Sequence, residues 1–382
     1  MSDALENLHI VDFSRVLAGP LATMVLADFG AEVTKVERPG TGDDTRAWGP
    51  PYDETGMATY FQAVNRNKRS VALDLHAPAD LERAQQLVAG ADVLVENFRP
   101  GLMDALGLGY EDMSAVNPAL VYCSITGFGA APAAATLPGY DILVQALGGL
   151  MSITGSPDGE PLKVGVALVD VICGLFAACG ILTALRHRDR MGAGQRVEID
   201  LLSSLLAALV NQGSAFTLAG EVGGRLGNVH PSIAPYELLS AADGPIVIAI
   251  GNDRQFRALT EIVGCPELAD DADFATNSDR VANRDRLREQ LEARLREQPA
   301  ASWVAELSQA RVPAGQVNDI AGAFALAERL GLEPIVEVPR PAGGVARLTR
   351  NPIRLSVTPA SYRTAPPVLP ENAPPPAAGS QP

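Results

Sequence analysis

The chain has 382 residues, of which 47% are hydrophobic and 5% aromatic, so it is long enough for two or three domains with large aliphatic cores. Its formal net charge of −15 argues against nucleic acid as the main partner. The four cysteines form no CxxC pair and indicate neither a disulfide framework nor a metal site. The N-terminus has no basic segment followed by an apolar one, and we expect a cytoplasmic protein without a signal peptide.

The first forty residues predict a compact βαβ unit. Residues 8–13 (LHIVDF) indicate a buried strand, residues 21–28 a helix, and residues 31–37 a second strand. The turn between the first strand and the helix lacks GxGxxG, so a dinucleotide site is not supported. Arg38 follows the second strand directly, where open α/β sheets bind ligands, and it is either an anion ligand or a solvated surface arginine.

Further strands are predicted at residues 71–75, 92–96 and 120–125, with an amphipathic helix at 79–89. Strands that alternate with helices indicate a parallel α/β sheet. Three basic residues precede the strand predicted at 71–75 and predict a polyphosphate patch: Arg66, Lys68 and Arg69.

The 22-residue apolar stretch 164–185 contains a single charged residue, Asp170. An unpaired carboxylate in apolar surroundings costs several kcal/mol or raises its pKa. Asp170 is either the N-cap of a helix that starts near Val171, the functional acid of a transmembrane helix, or a nucleophile or base at the mouth of a buried helix. Glycines within the stretch and polar residues in the next apolar segment, 197–218, favour burial or a subunit interface over a membrane span.

The composition changes after residue 227. A strand at 246–250, a helix at 255–263, a charged helical region at 267–310 and a strand at 312–317 predict a smaller second domain. We therefore predict a large domain over 1–220, a small domain over 221–328 and a return to the large domain over 329–362. The Pro- and Ala-rich residues 363–382 predict a disordered tail.

Seven motifs follow one another along the chain: VLAGPLATMVLADFGAEVTKVERPG, NRNKRSVALDL, VENFRPG, GYDILVQALGGLMSITG, LKVGVALVDVICGL, GNVHPSIAPY and VPAGQVND. In this order they resemble the class III CoA-transferases, the family of formyl-CoA transferase and alpha-methylacyl-CoA racemase, from about residue 8 to about residue 360. The resemblance implies an α/β fold with a large Rossmann-like parallel-sheet domain and a smaller α+β domain. It also implies a homodimer whose two subunits interlink like rings.

The resemblance implies that Asp170 is a nucleophile that carries CoA from an acyl-CoA donor, with succinyl-CoA as a candidate, to a carboxylic acid. The implied intermediates are an aspartyl anhydride and an aspartyl-CoA thioester, and no metal or cofactor is expected beyond the CoA thioester itself. Tyr140 matches a residue beside the acyl group. The matching CoA-contacting positions are Val16, Leu17 and Ala18 near the pantetheine arm, and Arg38, Leu73, Asp74, Leu75, His76, Asn97, Phe98 and Arg99 at the nucleotide end.

Tyr140 also bears on the alternative function, an acyl-CoA racemase that exchanges the alpha proton. The racemase branch carries a His at this position, and a Tyr with a pKa near ~10 is a poor second base. His230 lies in the shared GNVHP motif and is interpreted as structural or as a substrate-pocket residue. Leu17 replaces a Gln of the formyl-CoA branch, and Gly251-Asn252-Asp253 stand where that branch has a glycine-rich lid. These two differences argue against oxalate as the acceptor.

Overall fold

A computed structural model describes residues 3–341 and 343–370. The described residues divide into two compact units. The first comprises the described parts of Met1–Leu150, Lys163–Val222 and Glu333–Pro382, and the second comprises Met151–Leu162 and Gly223–Leu332.

These divisions differ from the predicted domains at two places. Residues 151–162, predicted as part of the large domain, belong to the second unit because Arg225 donates to the carbonyl of Gly159 (2.9 Å) and the Gly227 amide donates to that of Gly155 (2.9 Å). The predicted disordered tail begins at 363, but the Arg363 guanidinium donates to the carbonyl of Ala27 (2.9 Å) in the first unit. Residues 371–382 of that tail lie outside the described residues.

The elements up to residue 222 are β1 (His9–Asp12), α1 (Ala18–Asp28), β2 (Glu32–Glu37), a 3-10 turn (Asp44–Ala47), α2 (Thr59–Ala63), β3 (Lys68–Ala72), α3 (Pro78–Ala89), β4 (Val93–Glu96), α4 (Leu102–Ala105), α5 (Tyr110–Val116), β5 (Val121–Thr126), α6 (Asp141–Leu147), α7 (Leu150–Ile153), α8 (Leu168–Met191), β6 (Arg196–Asp200), α9 (Leu201–Ala208) and α10 (Val210–Ala219). Those after residue 222 are β7 (Tyr236–Ser240), β8 (Pro245–Ala249), α11 (Asp253–Val263), a 3-10 turn (Pro266–Ala269), α12 (Asn277–Ala282), α13 (Arg284–Leu295), α14 (Ala300–Gln309), β9 (Ala314–Gln316), α15 (Ile320–Arg329), β10 (Ile335–Pro339) and β11 (Val345–Thr349).

In the described part of the first unit, six parallel strands form one sheet in the order β3-β2-β1-β4-β5-β6. Successive residues of a strand point to opposite faces, and β1 shows this directly: Ile10 joins one hydrophobic cluster and Val11 the other. Helices α1 and α8 pack with the first cluster, and α3 and α5 with the second. The predicted α/β class and parallel sheet are confirmed.

Two details of the sheet differ from the predictions. The third strand is Lys68–Ala72 rather than 71–75, and residues Arg196–Asp200 form a sixth strand that the sequence analysis missed. The strand order places the switch point of the sheet between β1 and β4, because β2 and β3 extend the sheet on one side of β1 and β4 to β6 on the other.

The second unit has an antiparallel sheet in the order β7-β8-β9, covered by helices. Its core contains Ile246 and Ile248 of β8, Phe256 of α11, Leu291 of α13 and Trp303 of α14. This arrangement confirms the smaller α+β domain. The chain then returns to the first unit as the β10–β11 hairpin, where the carbonyl of Thr349 accepts from Arg66 (3.0 Å).

Candidate active site

The predicted CoA-binding residues all follow the carboxyl ends of neighbouring strands. Residues 16–18 follow β1, Arg38 follows β2, residues 73–76 follow β3, and residues 97–99 follow β4. Because these four strands are adjacent and parallel, their loops share one edge of the sheet at its switch point. This edge is where open α/β sheets bind ligands.

The loop between β1 and α1 is held firmly at this edge. Asn97 accepts from the amide of Arg15 (2.8 Å) and donates to its carbonyl (2.8 Å). Val16 has a φ of 69°, a left-handed conformation that costs energy in a β-branched residue. Its amide donates to the carboxylate of the buried Asp43 (3.3 Å). The loop therefore holds Val16 in a strained conformation directly before Leu17 and the start of α1 at Ala18.

The predicted residues after β3 and β4 differ in the exposure of their side chains. Leu73 is a core residue, so only its backbone is available at the edge. Asp74 accepts from the amide of His76 (3.0 Å), and both side chains are exposed, whereas Leu75 is half-buried. Arg99 is exposed and takes part in no ion pair among the described residues.

Asp170 lies in the first turn of α8. The helix begins at Leu168 with Ala167 as N-cap, so the prediction that Asp170 is itself the N-cap is wrong. The capping role belongs to Asp141, whose Oδ1 accepts from the amides of Val169 (2.8 Å) and Asp170 (3.2 Å). The carboxylate of Asp170 is left free of any capping bond among the described residues.

No cation pairs with Asp170 in the part of the chain that the structure describes. Burial raises its pKa, and the negative charge of Asp141 raises it further, to about 7. A carboxyl group with this pKa exists in both protonation states near neutral pH. Strongly perturbed carboxyl groups of this kind are typical of reactive sites.

A small apolar cluster joins the surroundings of Asp170 to the β1–α1 loop. Its members are the buried Leu17, Met24 and Val64, with Val16, Leu21, Tyr60, Ala167 and Val171 packed against them. Ala167 and Val171 flank Asp170 in sequence. The structure thus brings the predicted nucleophile together with Val16 and Leu17, two of the residues that the sequence analysis placed near the thioester.

Gly174, one turn beyond Asp170, allows this close approach. A Cβ atom at this position would lie 2.6 Å from the carbonyl oxygen of Ala18 in α1. Only glycine lets the backbones of α1 and α8 come this close. Ala18, the third predicted residue, therefore contacts α8 at Gly174, which lies one helical turn after Asp170.

Tyr140 and Asp141 stand side by side before α6. Tyr140 is the N-cap residue of α6, its side chain is 63% exposed, and its carbonyl accepts from Val144 (3.1 Å). Asp141 is the carboxylate that caps α8, and it also accepts from Gln145. Asp141 was missed by the sequence analysis, although it stands in the GYD motif that was quoted for Tyr140.

Tyr60 is a second residue that the sequence analysis missed. Burial raises the pKa of Tyr60, and the carboxylates of Asp170 and Asp141 raise it further. Its phenol is therefore protonated at neutral pH and able to donate a hydrogen bond. The ring of Trp48 packs edge-on against it, with centroids 5.4 Å apart. No local sequence signal marks Tyr60, because its proximity to α8 is a tertiary contact.

The predicted polyphosphate patch is wrong. Arg66 pairs with Asp28 (2.6 Å) and Lys68 with Asp12 (3.1 Å), and all four side chains are buried. Only the third member, Arg69, is exposed. A buried arginine or lysine with a carboxylate partner is not available to a phosphate.

Lys35 is buried as well and pairs with Asp43 (2.9 Å). Its Nζ also donates to the carbonyl of Ser14 (2.8 Å), next to the β1–α1 loop. We call Asp12, Lys35, Asp43 and Lys68 the buried ion network.

His230 belongs to the second unit. Its Nδ1 accepts from the amide of Ser232 (3.1 Å), and its ring packs against Tyr236 with centroids 5.3 Å apart. It lines a cavity of about 580 Å³ that also contains Arg284 and Arg288. The interpretation of His230 as a structural or pocket residue agrees with these contacts.

The sequence model of CoA-transferase family III matches residues 5–373. The chain belongs to CoA-transferase family III. This enzyme is 41% identical over 373 residues to the succinate–glutarate CoA-transferase of Agrobacterium fabrum, across 96% of this chain and 93% of that protein. It is also 41% identical over 352 residues to the acetyl-CoA:oxalate CoA-transferase of Acetobacter aceti, across 92% of this chain and 89% of that protein.

Comparison with solved structures supports the same family assignment. The crystal structure of a CAIB/BAIF family protein from Brucella suis matches with a TM-score of 0.86 at 43% identity, covering 97% of each chain. The resemblance drawn from the seven motifs is thereby confirmed, as is the fold class. The protein is an enzyme that transfers CoA.

Proposed function

We propose that this family III CoA-transferase works through covalent intermediates on Asp170. The observation that carries the proposal is the state of this carboxylate: half-buried, close to the β1–α1 loop, and without a cationic partner in the described part of the chain. A carboxylate that is neither neutralised by a cation nor fully solvated is a better nucleophile than one held in an ion pair.

In the first half-reaction, a carboxylate oxygen of Asp170 attacks the carbonyl carbon of the donor thioester. The C–S bond breaks, CoA leaves as a thiolate, and a mixed anhydride remains on Asp170. The thiolate then attacks the Asp170 carbonyl carbon of the anhydride. The donor acid leaves as a carboxylate, and Asp170 carries CoA as a thioester.

The second half-reaction runs in the opposite direction with the acceptor. The acceptor carboxylate attacks the aspartyl thioester, which expels the CoA thiolate and forms a second anhydride. The thiolate attacks the acceptor acyl carbon of that anhydride, giving the new acyl-CoA and the free Asp170 carboxylate. Every intermediate keeps an activated acyl group, so neither ATP nor a metal is needed for the energy balance.

The neighbours of Asp170 support these steps. The apolar cluster around Leu17 and Val171 limits the access of water to an anhydride. Asp141 fixes the backbone of the nucleophile through its two amide contacts. The protonated phenol of Tyr60 is a donor for the oxygen on which negative charge develops.

We propose that CoA lies along the carboxyl edge of β3, β2, β1 and β4. The thioester end would contact residues 16–18 near Asp170, and the nucleotide end would contact Arg38, residues 73–76 and residues 97–99. The placement of all these residues at one edge of the sheet supports this orientation.

For the substrates, we propose a dicarboxylic acceptor acid and a succinyl-CoA-type donor. The name of the Agrobacterium fabrum relative gives succinate and glutarate as its acids, and that of the Acetobacter aceti relative gives oxalate. Both relatives are 41% identical to this chain, so sequence identity does not indicate which of these acids is the acceptor. Leu17 at the thioester end favours the longer acids for this enzyme.

We also propose the interlinked homodimer, with a second copy of the chain as the occupant of an exposed apolar surface. Large apolar side chains on α8, α9 and α10 are exposed: Leu175, Phe176, Leu182, Leu206, Val210, Phe216 and Leu218. Several large apolar side chains exposed on neighbouring helices are typical of an obligate interface. Light scattering on the purified enzyme tests it: a mass of one chain contradicts the dimer.

A cytoplasmic location is part of the same proposal. By length and composition α8 could cross a membrane, but the core helices of soluble proteins pass the same test. The α9–α10 pair is bent by 84° between its two helices. We expect the enzyme to remain in the supernatant after high-speed centrifugation without detergent, and recovery in the membrane pellet would contradict this location.

The nucleophile is tested by mass spectrometry after incubation with succinyl-CoA. Hydroxylamine should convert the activated Asp170 into a hydroxamate, and borohydride should reduce it. Both modifications should map to Asp170 and be absent from Asp170→Ala. Failure to trap any adduct, together with alpha-proton exchange of a single acyl-CoA in D₂O without an acceptor, would instead support the racemase alternative.

A further inference from the structure

Two arginines share one acidic partner at the switch point of the sheet. Arg15, in the β1–α1 loop, lies with its Nη1 3.4 Å from Oδ2 of Asp44, and the guanidinium of Arg38 hydrogen-bonds to Oδ1 of the same carboxylate. The side chains are partly exposed, at 32% for Arg15, 52% for Arg38 and 42% for Asp44. One carboxylate thus holds two guanidinium groups where a ligand would approach.

The arginines have unused binding capacity. Each guanidinium carries five N–H donors, and each makes one hydrogen bond to Asp44. The local charge of the three groups is +1, in a chain whose net charge is −15. The local charge is therefore positive although the chain as a whole is negative. Two guanidinium groups that bind one carboxylate can also bind one phosphate.

Arg15 is built into the site. The two bonds from Asn97 fix its backbone, and its guanidinium stacks over the ring of Phe98, 4.9 Å from the ring centre. A stacked guanidinium keeps its edge free for hydrogen bonds to a further group. Arg15 thus connects the β1 loop with the β4 loop, on both sides of the switch point.

Asp44 is held differently. Its neighbour Asp43 is buried and tied to Lys35 and Thr45, which fixes the backbone of the turn, while the Asp44 carboxylate reaches into solvent. Ion pairs between exposed groups are weak, because water and salt screen them. A ligand phosphate, which carries more negative charge than a carboxylate, can therefore replace Asp44 on both arginines.

We propose that Asp44 is a built-in competitor of substrate phosphate, and that acyl-CoA displaces it to gain Arg15, with Arg38, as a phosphate ligand. The proposal rests on the proposed CoA site and adds to it a ligand, Arg15, and a residue that sets the affinity, Asp44. In the free enzyme the hydrogen bonds to Asp44 keep both arginines ordered but compete with their binding of phosphate. The apparent Kd for CoA is then the intrinsic Kd divided by the fraction of enzyme in which the arginines are free of Asp44.

The test is calorimetric titration of free CoA into the full-length enzyme, which involves no chemistry at Asp170. Asp44→Asn removes the competing charge and should lower the Kd for CoA about threefold to tenfold. Arg15→Ala should raise the Kd about tenfold. The advantage of Asp44→Asn should shrink at higher salt, which weakens the ion pair that this variant removes.

The matched control is Asp112→Asn, the same substitution at an exposed position on α5. It should leave the Kd unchanged, which separates the local exchange from the general loss of one negative charge. In turnover, Asp44→Asn should lower KM for an acyl-CoA without changing kcat. The kcat/KM for the matching acyl-pantetheine, which lacks the phosphates, should be unchanged.

A higher Kd for Asp44→Asn would overturn the proposal, because it would mean that Asp44 orients the arginines for CoA rather than competing with it. An unchanged Kd in Asp44→Asn would also overturn it, because Asp44 would then not compete with CoA, and an unchanged Kd in Arg15→Ala would remove Arg15 as a ligand. Neither result affects the covalent mechanism, since trapping at Asp170 is measured separately. Conversely, failure to trap an adduct leaves the calorimetric prediction fully testable.

Discussion

Two groups of acids, one buried and one half-buried, lie near the β1–α1 loop, and their surroundings are opposite. In the buried ion network, Asp12 faces Lys68 and accepts hydrogen bonds from Ser14 and Thr23. At the start of α8, Asp170 has another acid, Asp141, as its charged neighbour. The first group is fully neutralised and the second is not.

The pKa values follow this difference. Burial by itself raises the pKa of both acids, but Lys68 and Lys35 outweigh this for Asp12 and hold its pKa below the usual value. For Asp170 no cation opposes burial, and its pKa rises to about 7. Burial alone therefore does not make an acid reactive; burial without a counter-charge does.

The two groups of acids also have different roles. Lys35 donates to the carbonyl of Ser14 (2.8 Å) and Lys68 to that of Pro20 (2.8 Å), so the network fixes both ends of the loop that carries residues 16–18. Asp170 makes no such contact among the described residues. The network supports the loop, and Asp170 is available for chemistry beside it.

The largest expected effect is on activity in Asp170→Asn. The amide cannot form the anhydride, and kcat should fall by about 10⁴-fold or more, as in other enzymes that lose a covalent nucleophile. The measurement is steady-state CoA transfer from succinyl-CoA to glutarate, with calorimetric binding of CoA as the control for folding. More than a few per cent of residual activity would contradict a nucleophilic Asp170.

The next effect is on stability in Lys68→Met. This change leaves the buried Asp12 without its closest cation and should lower the free energy of unfolding by about 3–5 kcal/mol. Urea unfolding followed by circular dichroism measures it. Lys163→Met is the control, because Lys163 is exposed, and its effect should stay within about 0.5 kcal/mol. Equal effects of the two variants would remove the distinction between the two groups of acids.

A smaller effect is expected on the pH profile of Asp141→Asn. The carbonyl oxygen of Asn can still accept from the amides of Val169 and Asp170, but the charge that helps to raise the pKa of Asp170 is gone. In the proposed mechanism activity needs the ionised form of Asp170, so the activity of the wild type should rise with pH through about 7. In the variant the acidic limb of kcat/KM should move to lower pH.

Asp112→Asn serves as the control for this profile and should leave the acidic limb in place. A variant Asp141→Asn with a wild-type profile would show that burial alone sets the pKa of Asp170. Thermal unfolding of the same variant checks that α8 is still capped, since Asn is also a good acceptor at a helix start.

The last expected effect is on the pH dependence of stability. Because the pKa of Asp170 is about 7 in the folded enzyme and near ~3.9 in an unfolded chain, the folded state binds more protons between these values. This group therefore destabilises the fold progressively as pH rises from about 4 to about 7. The free energy of unfolding of Asp170→Asn should exceed that of the wild type increasingly over this range. A constant difference would contradict the raised pKa.

The sequence by itself determined the architecture and singled out the candidate nucleophile. Alternating strands and helices indicated the parallel sheet, and the apolar run 164–185 singled out Asp170 because no other charge lies within it. The motifs also placed residues 16–18, Arg38 and 97–99 after predicted strands, which fixes the edge of the sheet on which they lie, whereas residues 73–76 follow a strand only in the structure. These are local properties, so they can be read from neighbouring residues.

Only the tertiary structure decided which charges meet. Lys68 looked like part of a phosphate patch, but it is buried against Asp12, 56 residues earlier in the chain. Asp141 caps α8 from 28 residues before Val169 and takes the capping role that was one of the alternatives for Asp170. The strand Arg196–Asp200 was missed because its short mixed pattern is recognised as a strand only through its pairing with β5. An ion pair, a cap and a strand at the edge of a sheet each need a partner that the local sequence does not specify.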